Sequence, residues 1–190
     1  MRRVSAKSLT VWTLGHGMSE FDDYTEILAD HDIELVIDIR SKPLMRFAPR
    51  FNRGRLAPAL VDAGFQYVYL GDRLGGRPTG DRYYDDDGHT LYAPLNAESW
   101  FTEGIERVEQ LAAEHNVALT CIEEEPERCH RHLLVGHALE SRGTDVQHIR
   151  RAGYLESHAE LDQRMGVTAA SFIGGAWRSP MPMKGGHNRA

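Results

Sequence analysis

Leu35-Val-Ile-Asp-Ile39 is apolar at almost every position, with a single acid, and this limits the fold more than any other stretch. A strand turns successive side chains to opposite faces, so it is apolar throughout only where both faces are covered, as in a parallel sheet between helices. Val117-Ala-Leu119, running on into Thr120 and Cys121, reads the same way. Residues 9–14, 66–70 and 146–149 supply further short strand patterns. Between them, Phe21, Tyr24, Ile27, Leu28 and His31 fall on one helical face behind Ser19 as a cap, and Phe101, Ile105, Val108, Leu111 and Ala112 predict a helix over about 98–115. Shorter helices are predicted over about 55–63, after Arg131 up to a stop at Gly143, and over 156–165.

Strand and helix thus alternate about five times. The pattern predicts one α/β domain over residues 1–173, with a mostly parallel five-stranded sheet and helices on both faces. Residues 174–190, rich in Gly, Pro, Met and Arg without period, read as a flexible tail. Right-handed crossovers would gather the ends of strands one, two, four and five on one edge, where open sheets hold ligands. His16, Arg40, Cys121 and His148 are expected there. From Leu74-Gly-Gly-Arg-Pro78 to about Asn96 no period is visible, which marks a functional or mobile segment.

A chain of 190 residues that is 41% hydrophobic can bury a sizeable core, yet it has no run near the roughly 20 apolar residues of a membrane span. The basic start, Met1 to Lys7, leads directly into a strand pattern too short for a signal-peptide core, so no membrane partner and a cytoplasmic location are expected. Two cysteines do not make a disulfide scaffold. The net charge of −6 argues against a general polyanion binder. Its distribution is uneven: Arg40, Lys42, Arg46, Arg50, Arg53 and Arg55 lie between Ile39 and Val61 with no acid among them, interleaved with Phe47 and Phe51. That is a local anion site.

Both cysteines belong to Cys121-Ile-Glu-Glu-Glu-Pro-Glu-Arg-Cys129-His130-Arg131, a strand, loop and helix start. A thiol at a helix start beside His and Arg favours the thiolate, so Cys129 is the candidate nucleophile or redox thiol, with His130 or Arg131 lowering its pKa. Against this, Glu123, Glu124, Glu125 and Glu127 favour the thiol, and the alternative makes both cysteines packing residues and Arg131 a partner of the glutamates. Zinc held by Cys121, Cys129, His130 and perhaps His16 is a weaker reading, because Cys-x7-Cys is not a usual structural spacing; no metal is assigned. Asp38, closing a buried strand, is either a base or orienting carboxylate, or an ion-pair partner of Arg40. His16, between two glycines, is a candidate proton shuttle or a solvent-facing loop residue. Arg40, Arg77, His130 and Arg131 are candidate anion ligands, with Gly75-Gly76 giving backbone amides room to face the same anion.

Thr13-Leu-Gly-His16, Asp38-Ile-Arg-Ser-Lys-Pro43, Phe51-Asn52, Leu74-Gly-Gly-Arg77 and the cysteine block resemble, in that order, the blocks of the domain-of-unknown-function family 488. The resemblance spans roughly residues 10–150. It implies an α/β fold and a bacterial or archaeal cytoplasmic protein, and it implies no reaction.

Two functions remain open. One is an enzyme that hydrolyses or transfers a group on a small phosphorylated or nucleotide-like substrate, using Cys129, His16 or Asp38. It needs no cofactor that the sequence reveals, since the dinucleotide and phosphate-loop glycine signatures are both missing. The other is a nucleic-acid-associated module in which Arg46, Arg50, Arg53 and Arg55 contact phosphates while Phe47 and Phe51 stack on bases.

Overall fold

The computed structural model describes residues 9–151 and 153–183. The basic start before Leu9 and the last residues of the expected tail lie outside them. Six strands, β1 (Thr10–Gly15), β2 (Leu35–Asp38), β3 (Gln66–Tyr69), β4 (Val117–Cys121), β5 (Asp145–Ile149) and β6 (Leu155–Ser157), form one sheet in the order β3-β2-β4-β1-β5-β6. The first five are mutually parallel, as the apolar runs predict. β6 is an addition to the predicted five: it pairs antiparallel with β5, and its three residues are too short to show a pattern.

Both faces are covered, by clusters that take alternate strand residues. Leu35, Ile37, Val117 and Leu119 pack with Phe101, Ile105, Val108 and Leu111 of α5 (Ser99–Glu114). Val36 and Ala118 point the other way, against Tyr24 and Leu28 of α1 (Phe21–Asp30) and Leu56 and Leu60 of α2 (Arg53–Asp62). Side-chain alternation along a pleated strand requires this division. Short helices α3 (Gly71–Leu74) and α4 (Tyr92–Asn96) precede α5. After β4, a π-helical turn (Arg131–Gly136) runs into α6 (His137–Ser141), and α7 (His158–Met165) closes the fold.

Several local expectations change. α1 starts at Phe21 with no side-chain cap, and the Ser19 carbonyl instead accepts from Arg50 Nε at 2.8 Å. His31 lies past the end of α1, where Nε2 pairs with the Gly153 carbonyl at 2.7 Å. The predicted last helix divides into β6 and α7, because Ser157 and Glu160 form a capping box that begins the helix at His158. His148 lies within β5, opposite Thr13, and not at the strand end.

The aperiodic segment after Pro78 and the start of the expected tail hold each other in place. Tyr92 N donates to the Trp177 carbonyl at 2.9 Å, Ser179 N to Thr90 at 2.8 Å and Met183 N to Gly88 at 2.8 Å. Trp177, only 6% exposed, packs on Tyr92 and Phe172. Residues 174–183 are therefore docked where fraying was expected: one large aromatic outweighs a glycine-rich composition. Among the described residues no helix is long and apolar enough to cross a membrane.

Candidate functional site

The carboxyl ends of β2, β4 and β1 lie side by side, with Asp38 opposite Thr120 and Gly15 opposite Cys121. This register brings His16, Asp38, Arg40 and the cysteine block together. Asp38 is fully buried, and its two oxygens accept from Arg40 Nε at 2.8 Å and Nη2 at 2.6 Å. Tyr67 Oη donates to the same carboxylate at 2.8 Å. Arg40 Nη1 reaches His16 Nε2 at 2.9 Å, and since a guanidinium only donates, Nε2 accepts and the ring proton is on Nδ1, which donates to the Gly17 carbonyl at 2.9 Å. Burial first, and the Arg40 charge second, push His16 down to about 4. It is a neutral imidazole with both nitrogens engaged, stacked on Phe51 at 4.0 Å.

These contacts revise three expectations. Asp38 is an ion-pair partner with its lone pairs occupied, which leaves no free base. His16 is wholly buried, with no open nitrogen to shuttle a proton. Arg131, also buried, donates to the Glu123 and Glu124 carbonyls and so shapes the loop between the cysteines. Arg40 is thus committed inside the protein, and Arg131 spends Nη1 and Nη2 on the loop with only its buried Nε lacking a partner, so neither is a free fork for an anion.

Cys121, Glu123, Cys129 and His130 form the centre of the site. Their donor atoms all lie within 4.8 Å of one another. Glu123 Oε2 is 2.9 Å from Cys121 Sγ and 3.3 Å from Cys129 Sγ, and His130 Nδ1 is 3.7 and 3.8 Å from the same sulfurs. His130 Nε2 is fixed by the Ile39 carbonyl at 3.1 Å, which turns Nδ1 inward. The Arg131 backbone amide donates to Cys129 Sγ at 3.4 Å. Burial alone would raise the Cys129 thiol; the hydrogen bond from Cys121, the Arg131 charge and His130 override it and hold the thiol well below its ordinary value. Burial and the Cys129 charge push Cys121 the other way, well above.

A cleft opens over this centre, lined by Cys121, Glu123 and His130 together with Arg40, Lys42 and Arg77. Cys129 does not line it and is 1% exposed. Lys42 and Arg77 are exposed, and the Arg77 backbone amide is tied to Ser41 Oγ at 2.9 Å. Tyr92 also faces the cleft, and its buried hydroxyl has no hydrogen-bond partner. The Gly-Gly turn has a steric role: a Cβ on Gly76 would stand 2.9 Å from His130 Cγ, so only glycine allows the turn to press on that ring.

The basic segment divides. Phe51 is fully buried beneath His16 and cannot stack on a base. Arg50 is bound to the Met18 and Ser19 carbonyls and pairs with Glu20 at 3.2 Å, while Arg53 covers the Tyr69 ring at 3.9 Å. Arg46, Phe47 and Arg55 are exposed. Glu123 and Tyr92 are site residues that sequence reasoning passed over, and Lys42 was read only as part of the basic segment. For Glu123 a signal existed, since it follows Cys121 by two and period-two alternation carries both to the same side.

Among comparisons with known proteins, the model of the family described as Domain of unknown function DUF488 matches residues 20–138. That span takes in Asp38–Pro43, Leu74–Arg77 and the cysteine block, and stops short of Thr13–His16. No curated protein and no solved structure matches.

Proposed function

The chain belongs to the domain-of-unknown-function family DUF488, and on that premise we propose that it is a metal-dependent hydrolase of a small phosphorylated or nucleotide-like substrate. The observation that carries this reading is the gathering of two thiols, an imidazole and a carboxylate within 4.8 Å beneath an open cleft. Zn–S bonds of about 2.3 Å and Zn–N bonds of about 2.0–2.1 Å put neighbouring ligands of a tetrahedral ion about 3.6 Å apart. The sulfur to Nδ1 distances of 3.7 and 3.8 Å suit that ion. The outer contacts suit it too: a carbonyl orients the ligand imidazole and an amide donates to a ligand sulfur.

In this reading Cys121, Cys129 and His130 are the ligands, and Glu123, half-buried and lining the cleft, is the general base. A zinc ion held by these three side chains would supply a water of lowered pKa as the nucleophile. Glu123 would accept a proton from the attacking water as its oxygen bonds to the electrophilic centre, and would return it to the leaving group as the scissile bond breaks. Lys42 and Arg77 hold the anionic part, and the unpartnered Tyr92 hydroxyl donates to a substrate oxygen.

A second reading, with Cys129 as nucleophile, is favoured by its lowered pKa. It is disfavoured because the thiol facing the cleft is Cys121, the one pushed up. The nucleic-acid module keeps only Arg46, Phe47 and Arg55 as free contacts, and steep salt dependence of binding would revive it. The deciding experiment measures zinc per chain in the purified protein and turnover on a panel of phosphoesters and nucleotides, before and after chelation. Metal binding is expected in wild type and in Glu123→Gln, with turnover reduced about 10²–10⁴-fold in the variant. Chelated protein that keeps its turnover, and loses it on alkylation of Cys129, would move the assignment to the thiol.

A further inference from the structure

Three histidines outside the cleft meet in the interior, each from a different element. His132 comes from the π-helical turn, His148 from β5 and His158 from the first position of α7. Their exposures are 1%, 0% and 3%, and their ring centroids are 4.6 to 5.5 Å apart. Such proximity would be ordinary if the nitrogens were hydrogen-bonded. His132 Nδ1, His148 Nε2 and both nitrogens of His158 have no hydrogen-bond partner. Buried polar atoms are nearly always paired, so unpaired nitrogens on three rings that meet point to something that accepts their lone pairs.

Two of the rings are held from behind. His132 Nε2 donates to Asp162 Oδ1 at 2.8 Å and His148 Nδ1 pairs with Thr13 Oγ1 at 2.8 Å, while His158 Nε2 is 3.7 Å from Asp162 Oδ2, beyond hydrogen-bond reach. A carboxylate or hydroxyl behind an imidazole, with the opposite nitrogen left bare, is the arrangement that orients metal-ligating histidines. The backbone makes room for it: a Cβ on Gly136 would stand 2.9 Å from His158 Nδ1. The local π-helical winding, which the sequence does not require, aims His132 inward while His130, two residues before, faces the cysteines.

We propose that His132, His148 and His158 form a buried tri-imidazole site for Zn²⁺, separate from the cysteine centre and fastening the π-helical turn, β5 and α7 together. One nitrogen from each ring lies within 4.8 Å of the others. Zn–N bonds of about 2.0–2.1 Å require about 3.3 Å, so the rings need close by no more than about 1.5 Å. Imidazole ligands suit zinc, copper, nickel and cobalt, and the absence of any thiolate from the set removes the preference for softer ions. The three ligands arise from distant parts of the chain, so an ion bound there holds the native state and not the unfolded one.

The test uses the full chain, stripped with a chelator and crystallised with Zn²⁺ at saturating concentration. An anomalous peak at the zinc edge between the three rings is the expected result. A well-ordered crystal with no peak there overturns the site, and a peak at the thiols alone does the same while leaving the hydrolase reading intact. A peak at the imidazoles alone supports the site and counts against that reading. In solution, Asp162→Asn alters a half-buried residue that touches no ion and should fold. It is expected to weaken the imidazole-site affinity, measured by competition with a chromophoric chelator in a Cys129→Ser background, by about 10–100-fold. An unchanged affinity refutes the assignment. Should Cys129→Ser not fold, the same comparison is read from zinc-edge occupancy in crystals of the single Asp162→Asn protein.

Discussion

Asp38→Asn removes one charge from the interior and almost no volume, which makes its effect calculable. Asp38 and Arg40 expose 0% and 1% of their side chains, and the carboxylate accepts both guanidinium hydrogen bonds, the Arg40 amide at 3.1 Å and the Tyr67 hydroxyl. The amide replacement leaves Arg40 charged and uncompensated with only 1% of its side chain exposed, a change that costs about 3–5 kcal/mol. For 190 residues the unfolding entropy is about 0.4 kcal/mol per kelvin, so Tm should fall by about 8–12 °C. Urea unfolding followed by circular dichroism should show a lower midpoint at unchanged m-value. The double variant Asp38→Asn/Arg40→Met should recover most of the loss, because the stranded charge is gone. A loss under about 1 kcal/mol in the single variant would refute the reasoning, and would free Asp38 to be a base.

Three further outcomes follow from named contacts. Glu127 is lowered to about 2: burial alone would raise it, and hydrogen bonds from Arg150 and Arg164 prevail. With the folded value below the unfolded one, its contribution is complete above about pH 4.5 and lost as pH falls toward 2. Partial exposure limits it to about 2 kcal/mol, and Glu127→Gln should flatten acid unfolding curves by that amount. Gly76→Ala should cost about 1–3 kcal/mol and displace His130, seen as lower zinc retention on dialysis; full retention would show that the ring has slack. Trp177→Ala should cost about 3–5 kcal/mol in urea unfolding, whereas a chain end that merely frays would lose under 0.5.

The sheet was legible because burial on both faces leaves its mark in contiguous residues: Leu35–Ile39 and Val117–Cys121 announce two of the central strands without any partner being known. The cysteine block was legible as chemistry for a similar local reason. What sequence could not supply is how polar groups are spent. Arg40 and Arg131 look like free cations in a string, and only the fold reveals Asp38 and His16 engaging the first and two loop carbonyls the terminal nitrogens of the second. Glu123 was hidden in a run of four similar acids, of which this one turns toward the thiols. His132, His148 and His158 share no period or spacing, since three separate elements carry them to one point. β6 and the π-helical turn fall below the length at which periodicity can speak.

Met183 lines the cleft, yet the other side chains there belong to residues 40–130. A polypeptide emerging from the ribosome in order therefore has its sheet laid down, through β5, well before that wall arrives. Until then that side of the hollow is unlined, so the hollow is completed only after every strand has been made, and an intermediate can carry the whole sheet correctly paired before its last wall is in place.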